Sequence, residues 1–166
     1  MAKQPKQLDE LFYEGIKDIY FAEKKILAAL PKMAKAAQLD KAKAAFEKHR
    51  AETENHVQRL EQIFAMIDKE PRGKQCPAII GIVEEGQEII EDYEDSPALD
   101  AGLIGAAQAV EHYEIARYGT LKAWATELGL KDAVKLLDAT LAEESKTDKL
   151  LSELAVASAN TRAQAA

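Results

Sequence analysis

The sequence predicts an all-α bundle of four long helices, and three observations predict it. Over four long stretches, apolar residues recur every three or four positions, the spacing of one helical face, and no stretch alternates as a strand would. Two of the breaks between stretches are short, so each closes an antiparallel helix pair, whereas the break between the pairs is about 27 residues long. Composition agrees. Of 166 residues, 47% are hydrophobic, 31% are charged and only five are proline, which suits one soluble helical domain over 1–166.

The first stretch, about 6–36, puts Phe12, Ile16, Ile19, Glu23, Ile26, Leu30 and Met33 on its seam. Pro31 lacks an N–H and predicts a kink one turn from the end. The second, about 40–69, carries Ala42, Phe46, His49, Glu52, His56, Leu60, Ile63 and Ile67, and stops before Pro71-Arg72-Gly73. A shorter helix at about 77–94 opens with Pro77 at its first position. Its stripe is Ile79, Ile80, Val83 and Ile90, and its acids, Glu84 to Glu94, form a solvated face.

Ser96-Pro97 is a cap-plus-proline start for the third long stretch, which runs to about 128 and stops at Gly129. Ile104, Ala107, Glu111, Glu114, Tyr118, Leu121 and Ala125 lie in line along it. The fourth, about 131–158, lines up Val134, Leu137, Leu141, Glu144, Asp148, Leu151 and Ala155. The tail, 159–166, has no anchoring apolar residue and reads as frayed. Two hairpins joined by one long crossover, with the short helix inside it, make a ferritin-like bundle. The hairpins also repeat weakly: Glu23 aligns with Glu114, Phe46 with Leu137 and Leu60 with Leu151.

The net charge of −7 offers no basic face to nucleic acid or to an anionic membrane. No stretch approaches the roughly 18 apolar residues of a membrane span. Cys76 is the one cysteine, so no internal disulfide forms, and MAKQPKQLDELF lacks the apolar core of a signal peptide. The expected location is the cytoplasm.

Acids on the seam of every long helix are the feature that needs explaining. Glu23 and Glu52 lie about 14 to 15 residues either side of the first turn, and Glu114 and Glu144 about 14 to 16 either side of the second. At roughly 1.5 Å rise per residue they share one level. His56, Glu111 and Asp148 fall about one turn away. Unpaired ionised carboxylates in a bundle interior are costly, and no Lys or Arg occupies these seam positions. Protons or cations must therefore neutralise them. Oxygen ligands with one or two imidazoles suit iron or manganese, and two divalent ions bridged by carboxylates balance much of the charge.

The predicted metal ligands are thus Glu23, Glu52, His56, Glu111, Glu114, Glu144 and Asp148, for a di-iron or manganese centre. His49 reads as a core histidine, and His112, Glu54 and Glu143 as surface residues. The alternative is a non-catalytic structural or interaction protein whose acids are protonated or vestigial.

Four stretches carry a family likeness: LFYEGIKDIYFAEKKI, AAFEKHRAETE, AAQAVEHYEIARYGTL and LAEESKTDKL. Over about 8–158 the chain resembles the YciF family of bacterial ferritin-like stress proteins. The resemblance implies a ferritin-like bundle, often dimeric and associated with stress responses. Di-metal ferritin-like proteins use a Glu on the first helix and Glu-x-x-His on the second, then repeat that scheme. Glu23 and Glu52 match the carboxylates, but Asn55 stands at the histidine position and His56 one residue later. After Glu144 come Thr147 and Asp148, so the second histidine is absent.

Glu111-x-x-Glu114 is similar to the paired glutamates of rubrerythrins. On this scheme Glu52 and Glu144 bridge the ions, with Glu23, Glu111 and Glu114 as terminal ligands. His56 is the imidazole and Asp148 its acidic counterpart. Peroxide or dioxygen chemistry at such a centre needs electrons, and no Cys-x-x-Cys tail supplies them.

Overall fold

In the computed structural model, which describes residues 5–165, helices form where the apolar period runs. They are α1 (Leu8–Ala36), α2 (Asp40–Met66), α3 (Pro77–Asp92), α4 (Leu99–Glu127) and α5 (Lys131–Leu154). A π-helical turn, Ala155–Ala159, leads into a short last helix, α6 (Asn160–Gln164).

The helix ends show what stops each one. α1 continues through Pro31 as one helix. α2 stops at Met66, ahead of the Pro71–Gly73 break, because Asp68 turns left-handed (φ 55°) and Lys69 N–H donates back to Phe64 O at 2.9 Å. Asp is one of the few non-glycine residues that tolerate this conformation. Gly129 (φ 72°) does the same after α4, where Leu130 N–H donates to Ala125 O at 2.9 Å.

Two expectations need correction here. Ser96-Pro97 does not start α4: Ser96 Oγ accepts from Ala98 N–H at 3.1 Å, holding a turn, and the helix begins at Leu99. The tail from 159 is not frayed over its described length. Ala159 is fully buried, the helix runs to Gln164, and Arg162 donates to Gln38 Oε1 at 3.0 Å. Ala166 lies outside the described residues.

α1 and α2 form one antiparallel pair, α4 and α5 the other; α2 lies against α5 and α1 against α4. The ring order is therefore α1–α2–α5–α4, an all-α, ferritin-like bundle with α3 packed across α1 and α4. Apolar layers fill both halves. Phe12, Ile16, Ile63, Phe64, Leu121 and Leu137 are buried towards one end, and Leu30, Phe46, Leu103, Ile104 and Leu151 towards the other. Tyr20 meets Phe64 edge-on at 5.4 Å. Glu84, Glu85, Glu88 and Glu91 on α3 are exposed, as the charge pattern implies.

One buried acid outside the cluster has a structural role. Asp100 on α4 accepts from Gln38 N–H at 2.8 Å and Leu39 N–H at 3.0 Å. These donors lie in the α1–α2 turn, beyond reach of helical partners, so Asp100 satisfies them and ties the two hairpins together. Asp100→Ala is expected to lower the unfolding free energy by about 2 kcal/mol, from lost charge-assisted bonds and stranded donors. Chemical denaturation followed by circular dichroism measures this; a loss under about 0.5 kcal/mol would show that water replaces the carboxylate.

Candidate metal centre

The level computed from helix rise is where the acids meet. Glu23 on α1, His49 and His56 on α2, Glu111 and Glu114 on α4 and Glu144 on α5 are all buried. His49, Glu111, Glu114 and Glu144 offer ligand atoms within 4.8 Å of one another, and so do Glu23, His56 and Glu144. Glu144 belongs to both groups and lies between them.

Glu52 and Asp148, which the spacing also placed here, sit apart. The buried face of α2 runs His49, Thr53, His56, Leu60; that of α5 runs Leu137, Thr140, Glu144, Thr147, Leu151. Threonines thus hold the steps expected for Glu52 and Asp148, each one residue away. One residue is about 100° of rotation around a helix, enough to move a side chain to the shoulder. Glu52 Oε1 pairs with Lys48 Nζ at 2.8 Å, though its Oε2 stays buried 3.9 Å from His49 Nδ1, bordering the cluster. Asp148 Oδ1 accepts from Gln108 Nε2 at 3.0 Å and lies 3.3 Å from His112 Nε2. A threonine suits the buried step because its hydroxyl bonds to the preceding turn: Thr53 Oγ1 donates to His49 O at 2.9 Å.

Two residues set aside in the sequence belong to the site. His49 Nε2 lies 3.2 Å from Glu111 Oε1 and 3.9 Å from Glu144 Oε2. Its signal was a place two turns from His56 on one face of α2. Glu143, read as surface, accepts from both Arg59 nitrogens at 2.6 and 2.9 Å and lies 2.9 Å from His56 Nε2. Nothing local marks it, since both partners are on α2. Tyr118 donates to Glu23 Oε1, with its ring 6.4 Å from that of His56.

The electrostatics divide inside from outside. Burial first, then the charge of Glu144, pushes the Glu111 carboxyl up to about 11. Glu114 is raised by burial, then by Glu144, Glu23 and Glu111. Burial alone would lower His56, but the oxygens of Glu144 and Glu23 beside it overturn this and lift it to about 10. At the rim the signs reverse. Glu52 is held down to about 2 by His49, against burial, and by the closer Lys48, and Glu143 is lowered chiefly by Arg59.

Among the described residues, all the buried side-chain nitrogens and oxygens without a hydrogen-bond partner lie on Glu23, His49, Glu52, His56, Glu111, Glu114 and Glu144. His56 Nδ1 is 2.9 Å from Glu144 Oε1 and 3.4 Å from Glu23 Oε1, yet out of line for a hydrogen bond. Buried polar groups normally find partners, so this concentration of orphans fits ion ligands. The donor set is carboxylate and imidazole without sulfur, which suits iron or manganese. Cys76 lies elsewhere, 3.2 Å from Tyr113 Oη.

A family model described as a domain of unknown function, DUF892, matches residues 7–164. Protein YciF of Escherichia coli (strain K12) is 41% identical over 163 residues, 96% of each chain. The crystal structure of that E. coli stress protein superposes with a TM-score of 0.89, covering 94% of this chain and 99% of YciF. YcfI from Rhodopseudomonas palustris, described as a candidate structural protein, gives 0.87 at 41% identity over 92% of this chain and 97% of its own. A Xanthomonas campestris protein, 20% identical with a TM-score of 0.71 over 91% and 92%, shares the fold.

The raised groups set a pH dependence. Folded Glu111 and Glu114 hold protons that an unfolded chain releases near 4.5, and His56 one that it releases near 6.5. The folded chain then binds more protons than the unfolded one, so stability without metal is greatest below those values and falls as pH rises towards about 10 to 11. Glu52 has the opposite sign but acts only below its ordinary 4.5. The melting temperature of EDTA-treated protein is expected to fall between about pH 5 and about pH 9. Added Mn(II) is expected to raise it most at the alkaline end, where the acids give up protons readily. A melting temperature that climbs with pH before metal is added would contradict these protonation states.

Proposed function

The chain belongs to the DUF892 family, and we propose that it acts there as a stress-linked, ferritin-like protein holding a dinuclear iron or manganese centre. The observation that supports this most is the confinement of unpartnered buried nitrogens and oxygens to one cluster. Glu144, common to both ligand groups, would serve both ions. Glu23 and His56 would hold one ion, and His49, Glu111 and Glu114 the other, with Glu52 in reserve at the edge.

The surrounding residues fix how the ligands point. Glu143 accepts from His56 Nε2–H, so Nδ1, which faces Glu23 and Glu144, is the nitrogen that would give up its proton to hold an ion. Arg59 anchors Glu143 in turn. Tyr118 occupies Glu23 Oε1 and leaves Oε2 free. Glu111 and Glu114 would give up their protons to hold an ion. When bound, two such ions supply Lewis acidity and a store of electrons for peroxide or dioxygen chemistry.

The stress link comes from the E. coli relative, described as a stress protein. A cytoplasmic location and a homodimer belong to the same proposal. The net charge of −7 favours neither nucleic acid nor anionic membrane as partner, and no described helix is long and apolar enough to cross a membrane. The description of YcfI favours the second reading, a structural protein whose acids stay protonated.

Metal content by mass spectrometry, on untagged protein purified without chelators, separates the two. About two iron or manganese ions per chain are expected. Glu144→Ala is expected to lose both ions and Glu52→Ala at most one. A content near zero that persists after anaerobic Fe(II) addition would leave only the structural reading.

A further inference from the structure

We propose that the slot between α1, α3 and α4 binds a compact, uncharged apolar molecule with one hydroxyl-like end, that end seated at His49 and Glu111. α3 packs across α1 and α4 without closing on them, leaving a cavity of about 140 Å³. Small residues make the room, Gly86 on α3 and Ala106 on α4, while Met33 on α1 and Ile90 on α3 help form an apolar wall. An apolar cavity of about 150 Å³ accepts benzene, so the volume fits a body of six or seven heavy atoms. The mouth opens beside Lys25, Ala28 and Lys32, which are exposed on α1.

The floor points to a ligand rather than to solvent. His49 is 3% exposed, and neither ring nitrogen has a hydrogen-bond partner. Glu111, 1% exposed, leaves Oε2 unpartnered beside it. A buried water needs two to four polar partners, and apart from Gln87 and the lysines at the mouth the slot offers them only at this floor. The rest of its length gains more from an apolar body, as ligand sites with a few convergent polar groups do. The charge of Glu144, which lies behind Glu111, repels an anionic end and not a neutral hydroxyl. Binding in the slot needs no ion; that the polar end meets a metal centre rests on the function proposed above.

Phenol is the probe, titrated by calorimetry into the full-length chain as purified, with metal content read on the same sample. Saturable binding is expected, tighter than that of toluene by about threefold or more, because only phenol offers the floor a hydroxyl. Ala106→Phe fills the slot and is expected to weaken phenol by about tenfold or more. Ile90→Ala enlarges it and is expected to strengthen 2-naphthol by several fold, which keeps the proposal testable if the phenylalanine variant misfolds. Absent phenol binding, or binding that the slot variants leave unchanged, overturns the site. Equal affinity for toluene overturns the seating at His49. Phenol binding without metal, or metal without phenol binding, shows which of the two readings has failed.

Discussion

Four buried carboxylates and two buried imidazoles gather within about two turns in the middle of this bundle, and the rest of the structure is arranged around that constraint. An ionised carboxylate taken from water without a partner costs several kcal/mol even after relaxation, and neighbouring like charges add to the cost. Glu111 and Glu114 therefore hold protons far above the usual carboxylate range. The apolar layers on both sides supply the stability that lets the fold carry such a centre. A metal centre would turn the same cost into affinity, since entering ions would find their ligands already gathered and dry.

Pairing separates the acids that can bind an ion from those that serve the frame. Glu143 with Arg59, and Glu52 with Lys48, sit where side chains meet water, and their protons are readily lost. Asp148 is engaged by Gln108. Among the described residues, Glu23, Glu111 and Glu144 pair with His49 and His56 and with no lysine or arginine. Glu143 links the tiers, touching His56 from outside and setting which ring nitrogen faces in.

Levels in a helical bundle follow from where its turns are pinned. Gly129 closes the α4–α5 turn in a left-handed conformation that a side chain would strain. Asp100 satisfies the α1–α2 turn from the other hairpin, so the hairpins are held in register by a buried acid that no ion would claim. Moving either turn by one residue would slide a helix about 1.5 Å and rotate it by about 100°, turning ligands out of the centre. The crossover helix α3 packs across α1 and α4, and its small and apolar side leaves an opening to His49 instead of sealing it.

The sequence by itself determined the helices, their pairing into two hairpins, and the level at which Glu23, His56, Glu111, Glu114 and Glu144 gather. Periodicity and turn length are local properties, and rise per residue converts them into depth. Boundaries were less legible where a single backbone conformation decides them, as at Asp68, or where contacts from afar extend a helix, as Arg162 and Gln38 do at the tail. Tertiary structure alone decided which of two adjacent residues faces inward. Glu52 and Thr53, or Thr147 and Asp148, fit the apolar period almost equally, and the angle between them is set by how each helix packs on its neighbours. It also decided the roles of His49 and Glu143. Their partners lie on other helices, and a polar residue's environment is unreadable until the chain has brought those helices together.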